Sequence, residues 1–162
     1  MILNTFPTDG FSIGTGPGNV ASGAAVSFKP HTDCSLINAT LLLQGYDGLN
    51  GQQISLQFCD NSPTNEPFPR TDFICPPHND GSLASFAFNL QPPAALKAGS
   101  IYWIFIYGRL NAANFSHEIK LNWVNGVTPE GDFDFKGSLQ FFQNSFSPSL
   151  ICPAFKVSAV AV

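Results

Sequence analysis

Three histidines, eleven acidic side chains and four cysteines carry most of the reactive chemistry open to this 162-residue chain. His31 and Asp33 flank one turn, and His78 lies near Asp80. A histidine with an orienting carboxylate is the minimum of a general base. Residues two apart in a turn rarely face one substrate, however, and His117 and Glu118 point to opposite faces of an extended segment. Asp132 and Asp134 share a strand face about 7 Å apart, the spacing of an inverting glycosidase pair. Exposed strand carboxylates more commonly meet only solvent. No GxSxG elbow supplies a serine nucleophile. The expectation is a non-enzyme with no catalytic residue.

Binding chemistry is better represented. Asp60, Asn61, Asn79 and Asp80 sit at the two ends of an Asx-rich stretch, and oxygen-rich loops of this kind bind calcium in many sandwich folds. No fixed-spacing calcium motif accompanies them, and Asx residues also serve simply as turn formers. Carbohydrate recognition needs flat aromatic faces with amide or cationic partners. Tyr46 and Trp123, with Lys120 and Asn122 on the strand face opposite Trp123, form the candidate set. Trp103 stands in the most hydrophobic segment and is expected in the core.

These residues must be held by strands. Glycine and proline number 14 and 13 and punctuate the whole chain. No helical apolar stripe of useful length occurs. Short alternating runs predict strands at 20–29, 34–44, 52–59, 83–90, 101–107, 117–125 and 155–162, with 133 and 135 alternating against acidic and basic neighbours. The 101–107 run is apolar on both faces and predicts a central strand. Asp47-Gly48 and Asn50-Gly51 predict a hairpin loop, and Pro92-Pro93 followed by Lys97-Ala98-Gly99 predict the connection after the 83–90 strand. Residues 60–82, rich in proline, predict one long loop. Eight or nine strands make an all-β, two-sheet antiparallel β-sandwich, jelly-roll-like, spanning 1–162 as a single domain, with 1–19 as an extended N-terminal arm.

Charged residues amount to 11%, against roughly 25% in an average domain. Seven scattered basic residues and a pI near 5.1 argue against nucleic-acid binding. No apolar run reaches the ~18 residues of a membrane span. Residues 1–6 lack the basic and apolar regions of a secretory signal.

Cys34, Cys59, Cys75 and Cys152 show neither CxxC pairs nor zinc-ligand spacing. An even number of separated cysteines fits two disulfides, and three connectivities are open. If the first strong strand pairs with the last, Cys34 and Cys152 fall at one end of the sheet. That favours Cys34–Cys152, with Cys59–Cys75 closing the long loop.

Several segments, in order, resemble the choice-of-anchor β-sandwich domains of bacterial surface and secreted proteins. They are Val26-Ser27-Phe28-Lys29-Pro30, the apolar strand from Leu36 to Leu43, Leu96-Lys97-Ala98-Gly99-Ser100-Ile101-Tyr102-Trp103-Ile104, and Pro153-Ala154-Phe155-Lys156-Val157. The resemblance implies a secreted or cell-surface jelly roll without catalytic residues. The four cysteines and the proline-rich loop depart from that pattern.

Low charge, with polarity supplied by Asn, Gln and Ser, suits a protein that packs against copies of itself. The uncharged run 157–162 would invite pairing if it lay on a free edge. The N-terminal arm could add as a strand to a neighbouring subunit. The leading expectation is a non-catalytic extracellular structural or adhesive module that self-associates into a surface assembly through strand edges and termini. A carbohydrate-binding module is the alternative. No cofactor is expected, with calcium as the one open possibility.

Overall fold

The computed structural model describes residues 2–4, 23–45, 53–63, 71–74, 83–109, 121–123, 130–142, 145–149 and 155–162. They form twelve strands: β1 (Ile2–Asn4), β2 (Gly23–Pro30), β3 (Cys34–Gly45), β4 (Gln53–Asp60), β5 (Thr71–Ile74), β6 (Leu83–Leu96), β7 (Tyr102–Arg109), β8 (Leu121–Trp123), β9 (Glu130–Gly131), β10 (Phe133–Phe142), β11 (Ser145–Ser149) and β12 (Phe155–Ala161). Sheet A runs β6-β3-β12-β1-β9, with β8 also paired to β3. Sheet B runs β11-β10-β2-β7-β4-β5. The strand pairs are antiparallel. The chain passes repeatedly from one sheet to the other, as an all-β, jelly-roll-like sandwich requires.

The alternation of each strand explains the core. Val26 and Phe28 on β2, Leu56 and Phe58 on β4, and Tyr102, Ile104 and Ile106 on β7 meet Leu36, Ala39 and Leu41 on β3 and Phe155, Val157 and Ala159 on β12. Phe28 packs edge-on against Phe133, with centroids 5.8 Å apart. Burial of each such large side chain contributes about 1.5–3 kcal/mol.

Strand β7 lies between β2 and β4, and both of its faces are buried, as its sequence demands. Its outer residues join a second apolar layer behind sheet B. There Ala25, Cys59 and Phe105 are buried, with Trp103, Leu139 and Phe146 packed against them. Trp103 therefore does not sit between the sheets. It is half-buried in this rear layer, where its buried Nε1 has no acceptor among the described residues.

Several expectations need correction. The stretch 60–82 is not one loop, because β5 lies within it and pairs with β4. Strands β3 and β4 belong to different sheets, so the turn residues between them do not close a hairpin. Pro92 and Pro93 do not end β6. The ladder steps from Asn38↔Asn89 to Leu36↔Ala94, leaving both prolines in an irregularity. Strand β6 is an edge strand, where missing N–H donors are tolerated. Of the segment 117–125, the structure describes only β8.

The last strand is not on a free edge. Strand β12 lies between β3 and β1, because the chain's own Ile2–Asn4 pairs beside it. The N-terminal end of the expected arm is thus part of the sandwich. The partner of β12 is β3 rather than β2, which removes the basis of the Cys34–Cys152 pairing. Cys34 lies opposite Ala161, and Phe155 lies opposite Leu41 at the far end of the ladder. Cys34 is a buried free thiol, and burial raises its pKa. Cys59 forms no disulfide, so the expected Cys59–Cys75 link is not made, and its thiol donates to the Pro63 carbonyl at 3.1 Å. Cys75 and Cys152 lie outside the described residues.

Candidate functional site

Charge gathers on one rim of the sandwich. His31 and Asp33, in the β2–β3 turn, do not act on each other. His31 Nε2 lies 2.8 Å from Asp134 Oδ1 on β10. Lys136 and Lys29 approach Asp134 Oδ2 at 3.0 and 3.5 Å. The hydrogen bond from His31, then that from Lys136, holds the Asp134 carboxyl far below the usual carboxylate range. Asp33 instead accepts from the Ala98 amide and the Lys97 ammonium, each at 2.8 Å, and its pKa is lowered by them in that order. Asp33 reciprocally raises the pKa of Lys97. Asp132 accepts from the Ile2 amide at 3.0 Å through Oδ2.

This arrangement joins turns and strands, and does not form an acid pair. A general acid needs a raised pKa, whereas Asp134 is driven the opposite way and Asp132 is bound to β1.

Asp60 ends β4, and the adjacent Asn61 has φ +60°, a left-handed conformation that asparagine tolerates. Its amide donates to the Ile101 carbonyl at 2.9 Å. This pair is a turn, and its expected partners Asn79 and Asp80 lie outside the described residues. Among the described residues no group of three histidine, cysteine or acidic side chains could hold a metal ion.

The aromatic set is placed only in part. Trp123 and Asn122 lie opposite Leu43 and Gln44 on β3, and Leu121 lies opposite Gly45. The ladder ends one residue short of both Tyr46 and Lys120, which lie outside the described residues.

The remaining feature is the outer face of sheet A. Paired residues of antiparallel strands share a face, so Ile2, Ser158, Asn38 and Asn89 form one row across four strands. Lys156, Thr40 and Ala87 form the next, Leu42 and Ser85 follow, and Val160, Ser35 and Ala95 lie on the other side. Asn38 Nδ2 donates to Asn89 Oδ1 at 2.9 Å, and Thr40 Oγ1 donates to Asn38 Oδ1 at 3.0 Å. Lys156 and, two strands along the same row past Asn4, Glu130 are the charged residues in these rows. Ile2, Ile37 and Val160 are exposed at 43%, 37% and 51%. The contrast with sheet B is direct, because the rear face there is already buried.

Sequence reasoning singled out neither this face nor the His31–Asp134 contact. The face was signalled by Ala, Ser and Asn recurring at alternate positions of 83–90. The contact spans 103 positions and has no local signature. No family model, curated protein or solved structure matches the chain.

Proposed function

We propose that this protein is a non-catalytic, extracellular structural or adhesive module that self-associates into a surface assembly through the outer face of sheet A. One observation carries the reading: a broad, nearly uncharged sheet face exposes three large aliphatic side chains, while the opposite face of the sandwich is covered. Protein interfaces lose charge at their centres and gather apolar contacts there. The Asn38, Asn89 and Thr40 side chains satisfy one another, so covering them costs less desolvation than covering unpaired amides. The extracellular placement rests on the sequence resemblance alone. Light scattering over a range of protein concentrations tests the association. Mass rising well above 17.4 kDa is expected, and a constant monomer mass contradicts it. Surface biotinylation of intact source cells tests the location.

A second reading, a carbohydrate-binding module, is supported by the β3–β8 ladder, which brings the Trp123 segment to the end of β3 next in sequence to Tyr46. A glycan array tests it. Binding lost in both Tyr46→Ala and Trp123→Ala is expected, and an empty array contradicts it.

A further inference from the structure

The N-terminal strand occupies an unusual place. Strand β1 has only three residues, yet it is an interior strand of sheet A. On one side its register is Ile2↔Ser158, Leu3↔Val157 and Asn4↔Lys156. On the other it is Leu3↔Gly131 and Asn4↔Glu130. Among the described residues, β9 joins sheet A through β1 alone. Asp132 fastens the strand at both polar groups of one residue. Its amide donates to the Ile2 carbonyl at 2.8 Å, and its carboxylate accepts from the Ile2 amide at 3.0 Å. Asp132 is itself tied to the β2–β3 turn, through the His31 amide that donates to its carbonyl at 3.1 Å.

The slot between β12 and β9 is therefore built by residues 130–132 and 156–158, far from β1 in sequence. If β1 leaves, the slot exposes unpaired main-chain donors and acceptors on both walls, which strongly favours refilling. The strand of matching length, register and anchor is β1 itself, from this chain or from another copy. Residues 5–22 join it to β2 and include four glycines and two prolines. Fully extended, eighteen residues reach about 60 Å, enough to carry β1 into a neighbouring molecule of this size. The contacts are the same in either case, so exchange costs little beyond the entropy of association.

We propose that the β12–β9 slot is an interaction site whose occupant in the assembly is the β1 strand of a second copy of this chain. Each copy donates residues 2–4 and receives those of a neighbour. The exchange rests on the reading of the protein as self-associating, and would tie together copies that first meet through the outer face of sheet A.

The test uses cysteines at one ladder pair. Opposed Cα atoms in an antiparallel ladder lie about 4.5–5.5 Å apart, within disulfide range. Ile2 is exposed and Ser158 half-buried, so both positions tolerate the change. Full-length chains carrying Ile2→Cys with one tag and Ser158→Cys with another are co-expressed and mildly oxidised. Disulfide-linked peptides are then mapped by mass spectrometry, and native mass is measured in parallel. The double variant Ile2→Cys/Ser158→Cys serves as the register control.

Oligomers containing a 2–158 link between differently tagged chains are the expected result. Oligomers in which that link forms only within one chain of the double variant overturn the exchange and leave self-association standing. A monomer at every concentration overturns both. A double variant that never forms the 2–158 link overturns the register on which the exchange depends.

Discussion

Asp134 is gripped by lysines from two strands and by a histidine from a turn, and its chemistry follows from that position. Its folded pKa is depressed, as is that of Asp33. A depressed carboxyl contributes stability that is present above its unfolded pKa, about 3.9, and is lost as pH falls through that value toward the folded one. The thermal midpoint should therefore fall on acidification below about pH 4. In Asp134→Asn that fall should be shallower, which a melting series from pH 7 to pH 2 reads directly. The alkaline side works with the opposite sign. Lys97 has a raised pKa, so its contribution is present below its unfolded pKa, about 10.4, and lost as pH climbs through the folded value. Buried Cys34 favours its neutral thiol, so stability declines once the unfolded thiol ionises, above about pH 8.5. Cys34→Ala should flatten the start of that decline in the same melting series.

Core residues act through volume rather than charge. Phe155 is fully buried, pairs with Leu41 in the ladder, and lies 6.4 Å from the Phe135 ring between centroids. Phe155→Ala should cost about 3–5 kcal/mol, a large share of the 5–15 kcal/mol of a typical domain. Urea denaturation measures the loss.

Single elements show where the sequence was legible. The 101–107 run announced a strand buried on both faces, and β7 is one, because only a central strand with covered sheet faces can bury Ile104, Phe105 and Ile106 together. The turn after β6 was equally readable. Lys97-Ala98-Gly99 marks it, and Gly99 adopts φ +76° with open space where a Cβ would stand. Gly99→Ala should therefore cost about 1 kcal/mol through backbone strain alone, visible as a lower thermal midpoint with an unchanged fold by circular dichroism.

The elements that escaped notice are short or irregular. Strands β1, β5 and β9 have three, four and two residues, too few to display a period. They exist because a longer neighbour offers hydrogen bonds. The prolines of β6 read as a terminator because local rules do not reveal that β6 lies at an edge. The disulfide expectation failed for the same reason: strand order, which decides which cysteines meet, is set by long-range pairing. The charged rim was hidden likewise, since His31 and Asp134 meet only after β2 and β10 pair.

At the scale of the whole molecule, the sandwich is strongly asymmetric. One outer face carries a second, buried apolar layer, one rim holds most of the described charges, and the outer face of sheet A bears small and amide side chains with few charges. The composition foretold such a surface through its low charge, but not where it would lie, because the outward positions are defined only once each strand's buried face is known. Under the proposed function, this asymmetry makes the outer face of sheet A the place where copies would meet.

Sedimentation velocity of the wild type beside Ile37→Lys/Val160→Glu tests that claim most directly. Both positions are exposed, so the fold should survive the change, which a thermal melt verifies. The wild type should sediment as oligomers at micromolar concentration, and the double variant as a monomer. Identical distributions for the two proteins, oligomeric or monomeric, would contradict it.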